Sequence, residues 1–229
     1  MFFGPQSWII FIVAMGLGLL TQSYVNSAYR RSSKQQLPPN LTGAAVARRV
    51  LDAEGLHQVG IEMTPGKLTD HFDPRANVLR LSEDVYRGAH LAAAGVAAHE
   101  AGHAAQHADG FAPARLRMSL VPVANLGSQS GPLLVMVGLF LGYGSTFSTM
   151  LIDLGIALFA AAVLFQVVTL PVEFDASRRA MAALTTTGTV VPGQEGGARN
   201  VLTAAALTYV ASALVSVLYL LQFIGLRRD

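Results

Sequence analysis

Residues 99–103 read His99-Glu100-Ala101-Gly102-His103. On a helix, the two histidines sit about 40° apart around the axis and one turn apart along it. Both imidazoles can then reach one zinc ion at the roughly 2.0–2.1 Å that a zinc–nitrogen bond requires. Glu100 falls beside them, outside the ligand set. There a carboxylate can take the proton of a water whose pKa the metal lowers. Hydrolysis needs all three residue types at this spacing. Six histidines and six glutamates among 229 residues would produce the arrangement by composition alone in about 0.4% of chains. The rival reading, histidines that only bond core backbone, fits poorly with the small neighbours Ala98, Ala101 and Gly102, which leave room beside the pair.

A catalytic zinc keeps three protein ligands and an open position. His107 lies about 12 Å along the axis from His99, too far to share its ion. The metzincin extension needs Gly three and His six residues after the second histidine, and Gln106 and Asp109 stand there instead. His57, His71 and His90 each stand alone. Glu173 is the better third ligand, because a carboxylate directly after an apolar run is costly unless it is used or paired. Asp175 is its rival. The two acids are about 200° apart on a helix, so only one faces the metal.

The elements that must position these groups are largely apolar. Hydrophobic residues make up 52% of the chain and charged ones 13%, where soluble domains carry about a quarter charged. There is no cysteine, which excludes disulfides and thiol chemistry, and a net charge of +2 excludes the basic surface of a nucleic-acid binder. Charge-free runs cover residues 1–29, 118–152, 154–172 and 201–226. Each is long enough for about 30 Å of hydrocarbon, so four membrane spans are expected. The first helix covers about Trp8 to Val25, and the second run ends in a Gly/Ser turn over residues 142–148. The basic cluster Arg30, Arg31 and Lys34 follows the first run rather than preceding it, which reads as a retained anchor and not a cleaved signal. With alternating spans, Arg30, Arg31, Lys34, Arg115, Arg117, Arg178 and Arg179 share one side, and only Arg227 and Arg228 oppose them. The positive-inside rule then puts residues 30–117 and 171–200 in the cytoplasm.

The expected organisation is a membrane helix in 1–29, a zinc domain in 30–117, a membrane hairpin in 118–170, a third-ligand segment and loop in 171–200, and a last span in 201–226. Within the zinc domain, Thr42 caps a helix that Gly55 ends. Gln58–Glu62, Lys67–Thr69 and Val78–Leu81 read as short strands, with turn chemistry over Asp70–Asn77. Ser82 caps a helix beginning Glu83-Asp84, and an Ala-rich helix runs from Leu91 to Ala108. Thr185–Ala198 reads as a tethering loop. Pro122, Gly127, Gly131 and Pro132 suggest a kinked second span. The fold class is therefore mainly α with a small β-hairpin or sheet, in a multi-pass membrane protein.

Several segments carry a resemblance: Thr69-Asp-His-Phe-Asp-Pro74, Arg80-Leu-Ser-Glu83, Val96 to His107, Leu120-Val-Pro-Val123 and Leu170 to Arg179. Together they resemble the neutral zinc metallopeptidases of bacterial membranes, the YugP-like family, over roughly residues 37–225. A more distant likeness is to the HtpX and CAAX-protease clan, which places a membrane hairpin between His-Glu-x-x-His and a ligand glutamate. The resemblance implies a gluzincin-like peptidase domain with Zn²⁺ on His99, His103 and Glu173. It implies that Ser177 and Arg178 lie behind the ligands, with Ser177 where the clan has Asp. It also implies that Val78, Leu79, Arg80 and Leu81 form an edge strand pairing with an extended peptide.

The reading that follows is a zinc endopeptidase of the bacterial inner membrane, acting on protein or peptide at the cytoplasmic face with Glu100 as general base. One alternative is an intramembrane site-2-type protease, which lacks its Leu-Asp-Gly motif here. The other is a zinc-stabilised scaffold, which has no need of Glu100.

Overall fold

The computed structural model describes residues 5–142 and 145–228. Among these the order is α1 (Pro5–Ser33), α2 (Gly43–Ala53), β1 (Gly60–Thr64), β2 (His71–Asp73), β3 (Val78–Ser82), α3 (Glu83–Arg87), α4 (Leu91–Ala108), α5 (Ala112–Phe140), α6 (Thr146–Thr186) and α7 (Glu195–Arg228). The protein is mainly helical with one small sheet. Helices α1, α5, α6 and α7 are long and apolar enough to cross a membrane. With 41 residues, α6 is about 60 Å long, twice what a bilayer core needs. Its apolar part therefore continues into a polar part carrying Glu173, Asp175, Arg178 and Arg179. The turn expected over 142–148 includes residues 143 and 144, outside the described residues.

The chain divides into two compact units. One comprises residues 1–21, 115–171 and 208–229. In it α5 packs against α6 through glycines. A Cβ on Gly127 would overlap the Leu158 carbonyl, and one on Gly131 would meet the Gly155 carbonyl at 2.9 Å. Small residues let helix backbones approach where lipid offers no hydrophobic drive to associate. The glycines read from the sequence as kink signals are thus contact positions, and α5 runs through Pro122 and Pro132 as one helix.

The other unit comprises residues 22–114 and 172–207. Thr42 accepts a hydrogen bond from Ala45 N to start α2, and Gly55, at φ 72°, follows its end. The sheet is mixed, in the order β1-β3-β2, with β1 parallel and β2 antiparallel to β3. Asp73 closes the β2–β3 turn by accepting from the amides of Arg75 and Ala76. The Arg80 guanidinium and those amides hold the Asp73 carboxyl down at about 2. Ser82 stands at the start of α3, but its hydroxyl bonds Asp70 instead of capping the helix.

Three expectations need correction. Lys67–Thr69 is not a strand, because Leu68 sits at φ 57°, outside extended geometry, and the strand falls on His71–Asp73. The loop expected over Thr185–Ala198 is shorter at both ends: α6 reaches Thr186, α7 begins at Glu195, and the loop is 187–194. Most consequential, Val78, Leu79, Arg80 and Leu81 do not form an edge. They lie in the central strand, with β1 on one side and β2 on the other, and Leu79 and Leu81 are fully buried. Over Val78–Arg80 the ladder is already paired on both sides, which leaves no edge there for a peptide to join.

The core of this unit surrounds α4. Ala94, Ala97, Ala98, Ala101, Ala104 and Ala105 are all buried, with Val46, Leu51, Leu79, Leu81 and Leu184 among their core neighbours. A helix that is apolar all round must be enclosed. Its alanines let the neighbouring backbones come close, and Gly102 goes further. A Cβ there would stand 2.8 Å from the Ala176 carbonyl on α6. This approach sets the α6 segment that follows Pro171 directly against the His99–His103 face of α4.

Candidate metal centre

His90 starts α4 by accepting a hydrogen bond from Ala93 N at 3.1 Å. Three turns on, α4 presents His99 and His103, whose ring centroids lie 4.7 Å apart in an edge-to-face arrangement. Glu173 projects from α6 between them. Its Oε2 is 3.2 Å from His99 Nε2 and 3.6 Å from His103 Nε2. Two ligands about 2.0–2.1 Å from a tetrahedral zinc stand about 3.3 Å from each other. The observed separations bracket that value, and one ligand atom from each residue lies within 4.8 Å of the others. The donors are two imidazoles and a carboxylate, all buried or nearly so. They fit a borderline-soft divalent cation such as zinc, with a fourth position left open.

The far sides of both rings are held. Ser177 Oγ lies 3.2 Å from His99 Nδ1, and Gln106 Oε1 lies 3.0 Å from His103 Nδ1. The Gln106 amide can face only one way. Its nitrogen donates to the Val172 carbonyl at 2.8 Å and to Asp175 Oδ2 at 2.9 Å, both acceptors. The oxygen must therefore face His103, which places a proton on Nδ1 and leaves Nε2 as the ligand atom. Burial pushes the His103 imidazole down. The hydrogen bond and charge of Glu173, the Glu100 charge and Gln106 more than offset this, so it is raised above its ordinary value. A metal must displace that proton, so binding weakens as pH falls into the histidine range.

Asp175 is not among the three clustered donors. It anchors the chain of bonds behind His103 and is itself bonded by Arg178 and by Arg179 Nε at 2.8 Å. Arg179 also reaches Asp109 at 2.5 Å. Arg178 is mostly exposed. Glu100 is buried at 9% exposure, and among the described residues its carboxylate takes no hydrogen bond from the protein. The remaining histidines are used elsewhere: His57 bonds Asp52, His71 bonds the Thr69 carbonyl and His107 packs on Phe72. The sequence reading passed over Gln106 as a binding group. Its signal was an uncharged amide three positions after His103, one turn on along the same face of an Ala-rich helix.

The chain matches the family model described as "Putative neutral zinc metallopeptidase" over residues 7–228. It is 47% identical over 213 residues to "Putative membrane protease YugP" of Bacillus subtilis (strain 168), covering 93% of this chain and 92% of that one. No solved structure matches it.

Replacing Gln106 by Leu leaves all three metal donors in place but frees His103 Nδ1 and removes one of the two donors on Asp175 Oδ2, the other being Arg179 Nε. Zinc affinity, measured by competition with a chromogenic chelator, should fall by about 10–100-fold. Unchanged affinity in a folded Gln106→Leu protein would show that the amide does not orient His103.

Proposed function

The chain belongs to the neutral zinc metallopeptidase family, and on that premise we propose that it is a membrane-anchored zinc endopeptidase with a gluzincin-like site. The observation that carries the reading is the convergence of His99, His103 and Glu173 within 4.8 Å, with Glu100 beside them. These three residues would hold the ion. Bound there, zinc would polarise a peptide carbonyl and lower the pKa of an attacking water.

The other tasks fall to the chain. Glu100 takes the proton of the attacking water and passes it to the leaving amine. Its burial disfavours bulk water around the carboxylate, and its lack of a protein partner leaves it ready to accept that proton. Ser177 and Gln106 keep the two rings from turning, so each Nε2 stays aimed at Glu173. A scaffold reading gives Glu100 no task.

We place the chain in the bacterial cytoplasmic membrane with four crossings and the site facing the cytoplasm. The seven-to-two distribution of Lys and Arg near the span ends supports this orientation. Of the two dissenting residues, Arg227 is paired with Asp153 through two hydrogen bonds, one of 3.1 Å, which offsets its charge.

Two measurements test the proposal. Glu100→Gln keeps the shape of the side chain but cannot take the proton, so it should retain zinc and cleave casein about 10²–10⁴-fold more slowly. Equal, chelator-sensitive cleavage by both proteins would remove Glu100 from the chemistry. For orientation, single cysteines at Ser33 and Ser145 are treated with an impermeant thiol reagent in intact cells. Labelling at 145 alone is expected, and labelling at 33 alone would invert the topology.

A further inference from the structure

The polar part of α6 and the first turns of α7 enclose a groove of about 700 Å³. Phe174, Arg178 and Met181 line it from α6, and Arg199, Leu202 and Ala206 from α7. On each helix the spacing is three or four residues, so one face of each forms the wall. Thr185 and Glu195, nearest the connecting loop, belong to one end. Phe174 and Ala206, farthest from the loop, belong to the other.

The position of the groove along the two helices is informative. The charge-free run of α6 ends at Val172, and that of α7 begins at Val201. The Phe174–Ala206 end therefore lies where both helices turn apolar. Arg199 stands two residues before that line on α7, and Arg178 about 9 Å beyond it on α6. The groove thus runs from an apolar floor to two cations across the boundary between hydrocarbon and water. Arg178 touches Asp175 with one nitrogen and keeps most of its side chain exposed. Arg199 is exposed and has no ion pair among the described residues.

This chemistry suits a phosphodiester attached to an acyl chain. The planar guanidinium fork matches phosphate oxygens, and basic pockets between membrane helices take anionic headgroups. It suits an extended peptide poorly. Both walls are helices whose backbone groups are already bonded internally, so no ladder is offered to a peptide main chain. We propose that the groove binds an anionic glycerophospholipid. Arg178 and Arg199 hold its phosphate, and Phe174, Leu202 and Ala206 hold the upper part of a chain. Glu195 and Thr185 lie beyond the arginines, where a headgroup bearing hydroxyls finds acceptors. Ser177, which borders the groove, is the residue that touches His99. The lipid would therefore lie beside a contact that orients the metal centre. The inference rests on α6 and α7 crossing a bilayer, not on peptidase activity.

The test uses the full chain extracted in neutral detergent and titrated with phosphatidylglycerol or phosphatidylcholine of the same acyl composition. Bound lipid is counted by native mass spectrometry. Phosphatidylglycerol should bind about tenfold or more tighter. The double variant Arg178→Gln/Arg199→Gln should lose that preference, whereas Arg31→Gln/Lys34→Gln, which removes two cations elsewhere, should keep it. Thr203→Trp, at an exposed position of the α7 wall, fills the groove without altering charge and should weaken both lipids, and it serves as the deciding variant if the arginine pair compromises folding. Equal binding of the two lipids by wild type, or an undiminished preference in the arginine variant, overturns the site. So does displacement of the lipid by a casein peptide that crosslinks at position 202, which would make the groove a substrate subsite. Protein recovered in aqueous buffer without detergent would instead overturn the membrane reading beneath it.

Discussion

Glu173 lies almost wholly buried, with one carboxylate oxygen between the Nε2 atoms of two imidazoles. A carboxylate taken out of water is costly unless it is paired or ligates a cation. That constraint accounts for much of what surrounds it. The acid comes from α6 and the imidazoles from α4, so the two helices must approach closely. Gly102, against the Ala176 carbonyl, permits that approach. The alanines of α4 extend the same tight contact around the rest of the helix. A larger residue at 102 would move the acid away from the histidines and leave each partner buried without the other.

Burial also requires that the groups behind the ligands be satisfied. From His103 the bonds run through the Gln106 amide to Asp175, then to Arg178 and Arg179, and on to Asp109 at the end of α4. The chain ends in partly exposed charges, where solvent meets the remaining demand. Such a network is worth having only when complete, because a half-satisfied polar group in a low-dielectric interior costs more than an apolar one. It fixes one ring by its tautomer as well as by its position. His99 has a shorter arrangement, a single serine hydroxyl on its Nδ1. The two histidines are therefore held with different stiffness, although they stand one turn apart.

Much of this was legible in the chain. The spacing of His99 and His103 placed both rings on one face, and the boundaries Leu91–Ala108 coincide with α4. Glu173 stood out because a carboxylate beside an apolar run needs a use. The angle between Asp175 and Glu173 allowed only one of them to face the histidines, but it said nothing of what would reach Asp175 from α4. Gln106 carried no motif, and its role depends on two acceptors and one donor brought together by the fold. The sheet was least legible. β2 is only three residues long, and the left-handed Leu68 displaces it along the chain. The parallel pairing of β1 with β3 is a long-range choice that no local pattern encodes, and the edge role of Val78–Leu81 came from the clan resemblance alone.

The central claim is that Glu173, not Asp175, completes a three-ligand site with His99 and His103. Metal analysis of protein purified without added zinc tests it directly, on wild type, Glu173→Gln and Asp175→Asn, each checked for folding by thermal melting. The account predicts about one zinc per chain in wild type, most of it lost in Glu173→Gln and retained in Asp175→Asn. Stoichiometric zinc in Glu173→Gln, with loss in Asp175→Asn, would contradict it.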